Sequence, residues 1–193
     1  MPHLVLPPQA EIDEFVGAAH GDLQRVRTFL DNYPDLIYAR ASWDESAIEA
    51  ATQTGRVEIA ELLLSKGASL DICTAAMLGR KQNVEAFLID EPSLVLATGA
   101  HGIPLLYFPV IRGNYEIAEF LREHGADVNA GTGANTPLHG AVTFDQPEMV
   151  NWLLKNGADC HAIDYNGKTP LALAEENNQV EIAALLRNYG CEQ

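Results

Sequence analysis

The chain repeats itself. The residues that join two apolar helical runs are Gly21, Gly55, Arg80, Gly113, Asp145 and Asn178, spaced 34, 25, 33, 32 and 33 residues apart. Eight residues beyond them stand Phe29, Leu63, Leu88, Leu121, Leu153 and Leu186, and twelve beyond stand Tyr33, Gly67, Pro92, Gly125, Gly157 and Gly190. A period near 33 residues is a severe constraint. A unit that short cannot bury its own apolar face, so successive copies must stack into a helical solenoid. Six copies account for nearly the whole sequence, at 11–40, 41–70, 71–97, 98–130, 131–162 and 163–190, within one expected domain spanning 1–193.

Copy five shows the local physics most clearly. Thr136 suits a helix N-cap, and Pro137 suits the first helical position, where a missing N–H costs nothing. The short inner helix ends near Asp145, and Pro147 opens a second one. Met149, Val150, Leu153 and Leu154 recur at helical spacing and form a single apolar stripe. Trp152 and Phe120 fall on the corresponding stripes of their outer helices, where packing is their expected role. Gly157 supplies the left-handed residue that stops the helix. Inner helices carry small residues such as Ala18-Ala19 and Ala50-Ala51, which let neighbouring pairs approach closely.

Thr136-Pro137-Leu138-His139-Gly140-Ala141, preceded by Gly125-Ala126-Asp127-Val128-Asn129-Ala130, resembles the ankyrin repeat, with its T-P-L-H-x-A phrase and G-A-D-V-N-A tail. Thr169-Pro170-Leu171, after Gly157-Ala158-Asp159-Cys160-His161-Ala162, matches in copy six. Ser46-Ala47-Ile48-Glu49-Ala50-Ala51 is a weaker match in copy two, and copies one and three match only in their helical halves. The resemblance covers roughly 11–190 and implies an all-α, ankyrin-type solenoid of six helix–turn–helix repeats, copies one and six acting as caps. It further implies that His139 is a structural residue tying neighbouring turns. Partners of such proteins meet the concave side, built from turn tips and inner-helix ends.

Charge narrows the partners. Twenty-seven acidic against 12 basic residues leave a formal charge of −15, which argues against nucleic acid, whose binding depends on Lys and Arg neutralising phosphates, and against anionic membranes. The stretch from Pro92 to Ile111 lacks acidic and basic residues, but Pro104, Pro109, Gly99 and Gly102 interrupt it, so no membrane span is expected. Met1-Pro2-His3-Leu4-Val5-Leu6-Pro7-Pro8 has no basic region and is too broken for a signal peptide. Cys73, Cys160 and Cys191 show no paired spacing, which points to reduced thiols and a cytoplasmic protein.

Nothing in the sequence assembles into a catalytic or metal-binding constellation. The six histidines (His3, His20, His101, His124, His139 and His161) show no i, i+4 pairing on a helix, and adjacent Cys160 and His161 cannot face one metal. The acidic pairs Asp44-Glu45 and Glu175-Glu176 read as solvated surface. There is no phosphate-binding glycine loop, since Gly131-Thr132-Gly133 lacks the strand-to-helix context. No cofactor, metal or enzymatic activity is expected.

The expected function is therefore protein–protein recognition by a monomer acting as an adaptor or inhibitor. Positions at the tips and inner-helix ends nominate Trp43, Asp44, His101, Ile111, Arg112, Phe144, Tyr165, Asn166 and Lys168 as partner-binding residues. Large apolar groups there are not required by the repeat, and exposed aromatics with Arg are common interface anchors. For Ile111, as for Leu78, packing is favoured over partner contact. Two irregularities stand apart. The short spacing between Gly55 and Arg80 leaves no residues for an extended turn before Ile72, so one tip should be missing. In copy four, Pro109 sits where an inner helix should run, so that helix should kink or start late. A pocket near Tyr107, Phe108 and His101, serving a small-molecule sensor or enzyme, is the alternative reading, and burial of Trp43 against a second copy a third.

Overall fold

The computed structural model describes residues 6–192; Met1–Val5, including His3 and most of the N-terminal segment discussed above, and Gln193 lie outside them. Among the described residues the fold is all-α, an ankyrin-type succession of helix pairs. The pairs are α1 (Gln9–Ala19) with α2 (Leu23–Asn32), α3 (Ala47–Gln53) with α4 (Val57–Ser65), α5 (Ile72–Met77) with α6 (Lys81–Asp90), α7 (Tyr107–Val110) with α8 (Tyr115–Glu123), α9 (Pro137–Thr143) with α10 (Pro147–Lys155), and α11 (Pro170–Glu176) with α12 (Val180–Asn188). They form two compact units, divided between Thr74 and Ala75.

Caps fix where these helices begin. In the first unit, Ser46 and Glu49 form a reciprocal capping box on α3, and Asp22 accepts the Arg25 N–H at the start of α2. In the second unit, Thr136 caps α9, Thr169 caps α11 and Asn114 caps α8. The links between paired helices turn on left-handed residues: Gly55, Gly113, Asp145 and Asn178 all have positive φ. In copy three that role falls to Gly79 (φ 74°), one residue before the expected Arg80. Arg80 instead takes the N-cap place of α6, because glycine enters the left-handed region without a Cβ clash.

Each unit has its own apolar core. In the first, α1 packs on α3 and α3 on α4, burying Phe15, Val16, Val26, Leu30, Leu36, Ile59 and Leu63 among the small Ala19, Ala50 and Ala51. In the second, α9 lies between α7 and α11 and also contacts α10, while α12 packs on α10 and α11. Ile117, Leu121, Leu138, Val150, Leu153 and Leu186 fill that core. Trp152 is buried as expected, and Phe120 is half-buried.

Both irregularities take physical form. After α4 the chain passes through Lys66–Asp71 straight into α5, with no extended turn. Copy four starts its inner helix late: α7 is only four residues long, against seven in α9. Pro104 stands where copies five and six have a capping threonine, and the Tyr107 N–H bonds to its backbone carbonyl instead, at 2.9 Å. Pro109 falls in the first turn of the shortened helix, where its missing N–H has no intrahelical partner to lose.

Copies one and three are more alike than their sequences first suggest. Each outer helix runs ten residues and is followed by a 3-10 turn, Pro34–Tyr38 or Pro92–Leu96. A tip closed by one antiparallel bridge comes next, Arg40 with Ser46 or Thr98 with Pro104. The signal is the phrase Pro-x-Leu-x-x-Ala, at Pro34-Asp35-Leu36-Ile37-Tyr38-Ala39 and again at Pro92-Ser93-Leu94-Val95-Leu96-Ala97.

Candidate functional site: turn tips and inner-helix ends

In the first unit the tip is Ala41–Glu45. Asp44 adopts the left-handed conformation (φ 61°), and its carboxylate receives the Arg40 Nε–H at 2.6 Å. Trp43 is 44% exposed, yet its indole is oriented, since Nε1–H donates to the Glu45 carboxylate at 2.7 Å. Glu45 itself is 1% exposed. It also accepts from Gln53 Nε2 at 2.5 Å, and His20 Nε2 lies 3.6 Å away. The expectation that Asp44 and Glu45 are both solvated is therefore corrected for Glu45. The tip curls its carboxylate inward, where hydrogen-bond donors offset the loss of water.

In the second unit, the tip of copy six brings Tyr165, Asn166 and Lys168 onto one turn. Asp164, buried, organises it by accepting the N–H groups of Asn166 and Lys168, both at 2.8 Å. The backbone of this tip also bonds to its neighbour: Gly133 N–H donates to the Ile163 carbonyl and Tyr165 N–H to the Ala134 carbonyl. Tyr165 remains 70% exposed and Ile163 47%. Lys168 Nζ pairs with Glu176, and this hydrogen bond is the main reason its pKa is raised. Asn166 is exposed.

The other nominated residues divide. His101 and Arg112 are exposed, and His101 sits in the left-handed region (φ 57°). Phe144 is half-buried, its ring edge-on to Tyr107 at 6.5 Å. Ile111 is a correction: it is 1% exposed and packs towards α9, so in this structure it offers nothing to a partner. Glu175 and Glu176 are exposed as expected, Glu175 pairing with Arg187 at 2.5 Å.

His139 ties turns together. It is fully buried, with Nδ1 at 2.7 Å from the Thr136 hydroxyl and Nε2 at 3.0 Å from the Lys168 carbonyl. A neutral ring with the proton on Nε2 satisfies both, accepting from Thr136 and donating to Lys168. Burial lowers its pKa, against a smaller opposing effect of the Lys168 bond. The next residue, Gly140, leaves room for a neighbour, since a Cβ there would lie 2.5 Å from Tyr107 Cε2 and 3.0 Å from Ile111 Cγ2.

The cysteines overturn the reading of unpaired thiols. Cys160 and Cys191 form a disulfide, with Cα atoms 5.7 Å apart, while Cys73 is a buried free thiol whose pKa burial pushes up. The cytoplasmic expectation thereby loses the support it drew from thiol usage. Among the described residues, no helix is long and apolar enough to cross a membrane.

Near copy four there is a crevice of about 90 Å³, lined mainly by apolar groups including Val95, Leu96, Pro104, Leu105 and Leu106. Tyr107 and Phe108 do not line it; they are buried in the core. A groove of about 400 Å³ runs between outer helices α10 and α12, past Glu148, Asn151, Glu181 and Leu185.

Comparison with known proteins agrees with this geometry. A family model described as "Ankyrin repeats (many copies)" matches residues 110–174, and one described as "Ankyrin repeat" matches 44–75. The chain belongs to the ankyrin repeat family. Ankyrin-repeat relatives include the nuclear factor NF-kappa-B p105 subunit of Gallus gallus, 26% identical over 83% of this chain and 18% of that protein. The E3 ubiquitin-protein ligase Ufd4 of Drosophila melanogaster is 40% identical over 46% of this chain and 3% of its own. The BCL-6 corepressor-like protein 1 of Homo sapiens is 32% identical over 72% of this chain and 8% of its own. The ankyrin repeat chain thus spans less than a fifth of the length of each. Ankyrin repeats generally mediate protein–protein interaction, and these three relatives have diverse functions by name.

Proposed function

We propose that this ankyrin repeat chain is a non-catalytic recognition module, binding another protein through its turn tips and inner-helix ends as an adaptor or inhibitor. The observation that carries this reading is Tyr165, 70% exposed on a tip whose backbone is held by Asp164 and by hydrogen bonds to the preceding turn. An aromatic group presented on an already ordered backbone loses little conformational freedom on binding, which is what an interface anchor needs. Trp43 is held through its own side chain, whose indole N–H donates to the Glu45 carboxylate. The module is proposed to act as a monomer, with Asp44 beside Trp43 in the first unit, and His101, Arg112, Phe144, Asn166 and Lys168 as further contacts in the second.

The test is affinity capture with the intact chain, followed by measurement of the captured protein's affinity for Trp43→Ala, Tyr165→Ala and the double variant. Loss of at least about tenfold in affinity, 1.4 kcal/mol, with unchanged helicity is the expected outcome. A partner that binds the double variant as tightly as the parent would refute this surface.

A further inference from the structure

The turn of copy five is held to its neighbours in two different ways. On the side of copy four the tie is an amide. Asn129 Oδ1 accepts the Asp159 N–H at 2.7 Å, and Asn129 Nδ2 donates to the Gly157 carbonyl at 3.0 Å. Asn129 stands four residues beyond Gly125. The residue four beyond Gly157 is His161, and the side-chain hydrogen bond that reaches the turn at Gly190 comes instead from α10, where Asn151 Oδ1 accepts from the Tyr189 hydroxyl at 2.9 Å. The covalent link to that turn is the Cys160–Cys191 disulfide. One inter-turn tie is a pair of hydrogen bonds; the next depends on oxidation.

The surroundings suit a bond that opens and closes. The Cys160 turn is anchored by Asn129 whatever its sulfur does. Cys191 directly follows the left-handed Gly190 (φ 81°), and its N–H bonds to the Leu186 carbonyl at 3.1 Å, so the end of α12 holds it in place. Both sulfurs would therefore stay close after reduction. Cys160 is half-exposed and open to attack, whereas Cys191 is 1% exposed. Cys73, the third cysteine, is a buried thiol.

We propose that Cys160 and Cys191 form a reversible thiol–disulfide stitch that sets the local stability of copy six, and of α12 above all. Its co-reactant is a low-molecular-weight disulfide such as oxidised glutathione. The Cys160 thiolate attacks one glutathione sulfur, forming a mixed disulfide and releasing one glutathione thiolate. The Cys191 thiolate then attacks the Cys160 sulfur, closing the protein bond and releasing the second glutathione. Two electrons pass from the protein thiols to the small disulfide, and the two protons lost by the cysteines end on the glutathione thiols. Excess thiol reverses both steps, with entry at the accessible Cys160. Closing the bond links residues 31 apart and removes open conformations of the segment between them.

The experiment is hydrogen exchange of the intact chain, equilibrated with oxidised glutathione or with a phosphine reductant, alongside alkylation of thiols under denaturing conditions. Oxidised samples should show one alkylated cysteine and reduced samples three. On reduction, amides of Val180–Asn188 should exchange faster by about tenfold or more, while α9 and the start of α10 hold their rates. The Cys160→Ser, Cys191→Ser double variant should exchange like the reduced chain in either buffer. Three alkylated cysteines after oxidation would overturn the stitch. So would equal α12 rates in the two states, faster exchange spread evenly through the second unit, or a double variant that still responds to the redox buffer. None of these readouts involves a protein partner, so the outcome is independent of the proposed binding surface.

Discussion

His139 shows how one side chain couples local and tertiary structure. Both its nitrogens are engaged, and its folded-state pKa lies below the ordinary histidine value near 6.5. On acidification through that value the unfolded chain takes up the proton first, so stability falls as pH drops below about 6.5 and is retained above it. Urea unfolding at pH 7.5 and 5.5, compared with His139→Gln, should show the parent losing more stability on acidification. The His139 tie was legible, because T-P-L-H is a local phrase. Glu45 was not: as one of two adjacent acidic residues it looked solvated, and only the positive φ of Asp44 sends it inward. Ile111 stands near the end of an inner helix, which nominates it for partner contact, but packing is its favoured role there and α9 covers it. Gly140 is informative only once Tyr107 is seen against it.

At the level of elements, the inner helices of copies five and six form a natural pair of controls. Thr136 and Thr169 both cap a seven-residue helix that begins with proline. Thr136 also bonds the His139 ring, whereas the equivalent residue beyond Thr169 is Ala172, which offers no such partner. Thr169→Ala should therefore cost about 1 kcal/mol. Thr136→Ala should cost more, about 2 kcal/mol, because a buried ring nitrogen is also left unsatisfied. Chemical denaturation of the two variants checks the order; equal costs would mean that the His139 contact contributes nothing. Helix pairs, caps and the late start of α7 could be read from spacing, as could the missing turn before Ile72. The kinship of copies one and three does not show in the spacing of the inter-helix links, because their shared signal, the Pro-x-Leu-x-x-Ala phrase, lies beyond the outer helix. Spacing of 33 residues back from Gly113 points to Arg80 as the copy-three link, whereas the left-handed turn falls one residue earlier, on Gly79.

For the whole molecule, charge is the dominant collective property. Ion pairs such as Arg25–Glu14, Lys81–Glu116 and Arg122–Glu119 engage the scarce cations, but 27 acidic residues against 12 basic ones leave an excess of 15 negative charges. Their mutual repulsion is long-ranged at low ionic strength, with a screening length of about 30 Å at 0.01 M and about 8 Å at 0.15 M. Raising salt across that range should lift the thermal midpoint by a few degrees, roughly the effect of 1 kcal/mol. A midpoint that falls with salt would show instead that the ion pairs outweigh the repulsion.

The amino-acid sequence alone determined the repeat, the helix pairs, their caps and the family, because each follows from contacts or φ preferences within a few residues. The tertiary structure decided the rest: the Cys160–Cys191 bond, the inward carboxylate of Glu45, the covering of Ile111 and the exposure of Tyr165. The disulfide and the cover over Ile111 join residues about 30 positions apart, a whole repeat away, and Tyr165 projects from a tip whose backbone bonds back to the preceding turn. Stacking brings such residues together, while the order of residues along the chain says only that stacking must occur.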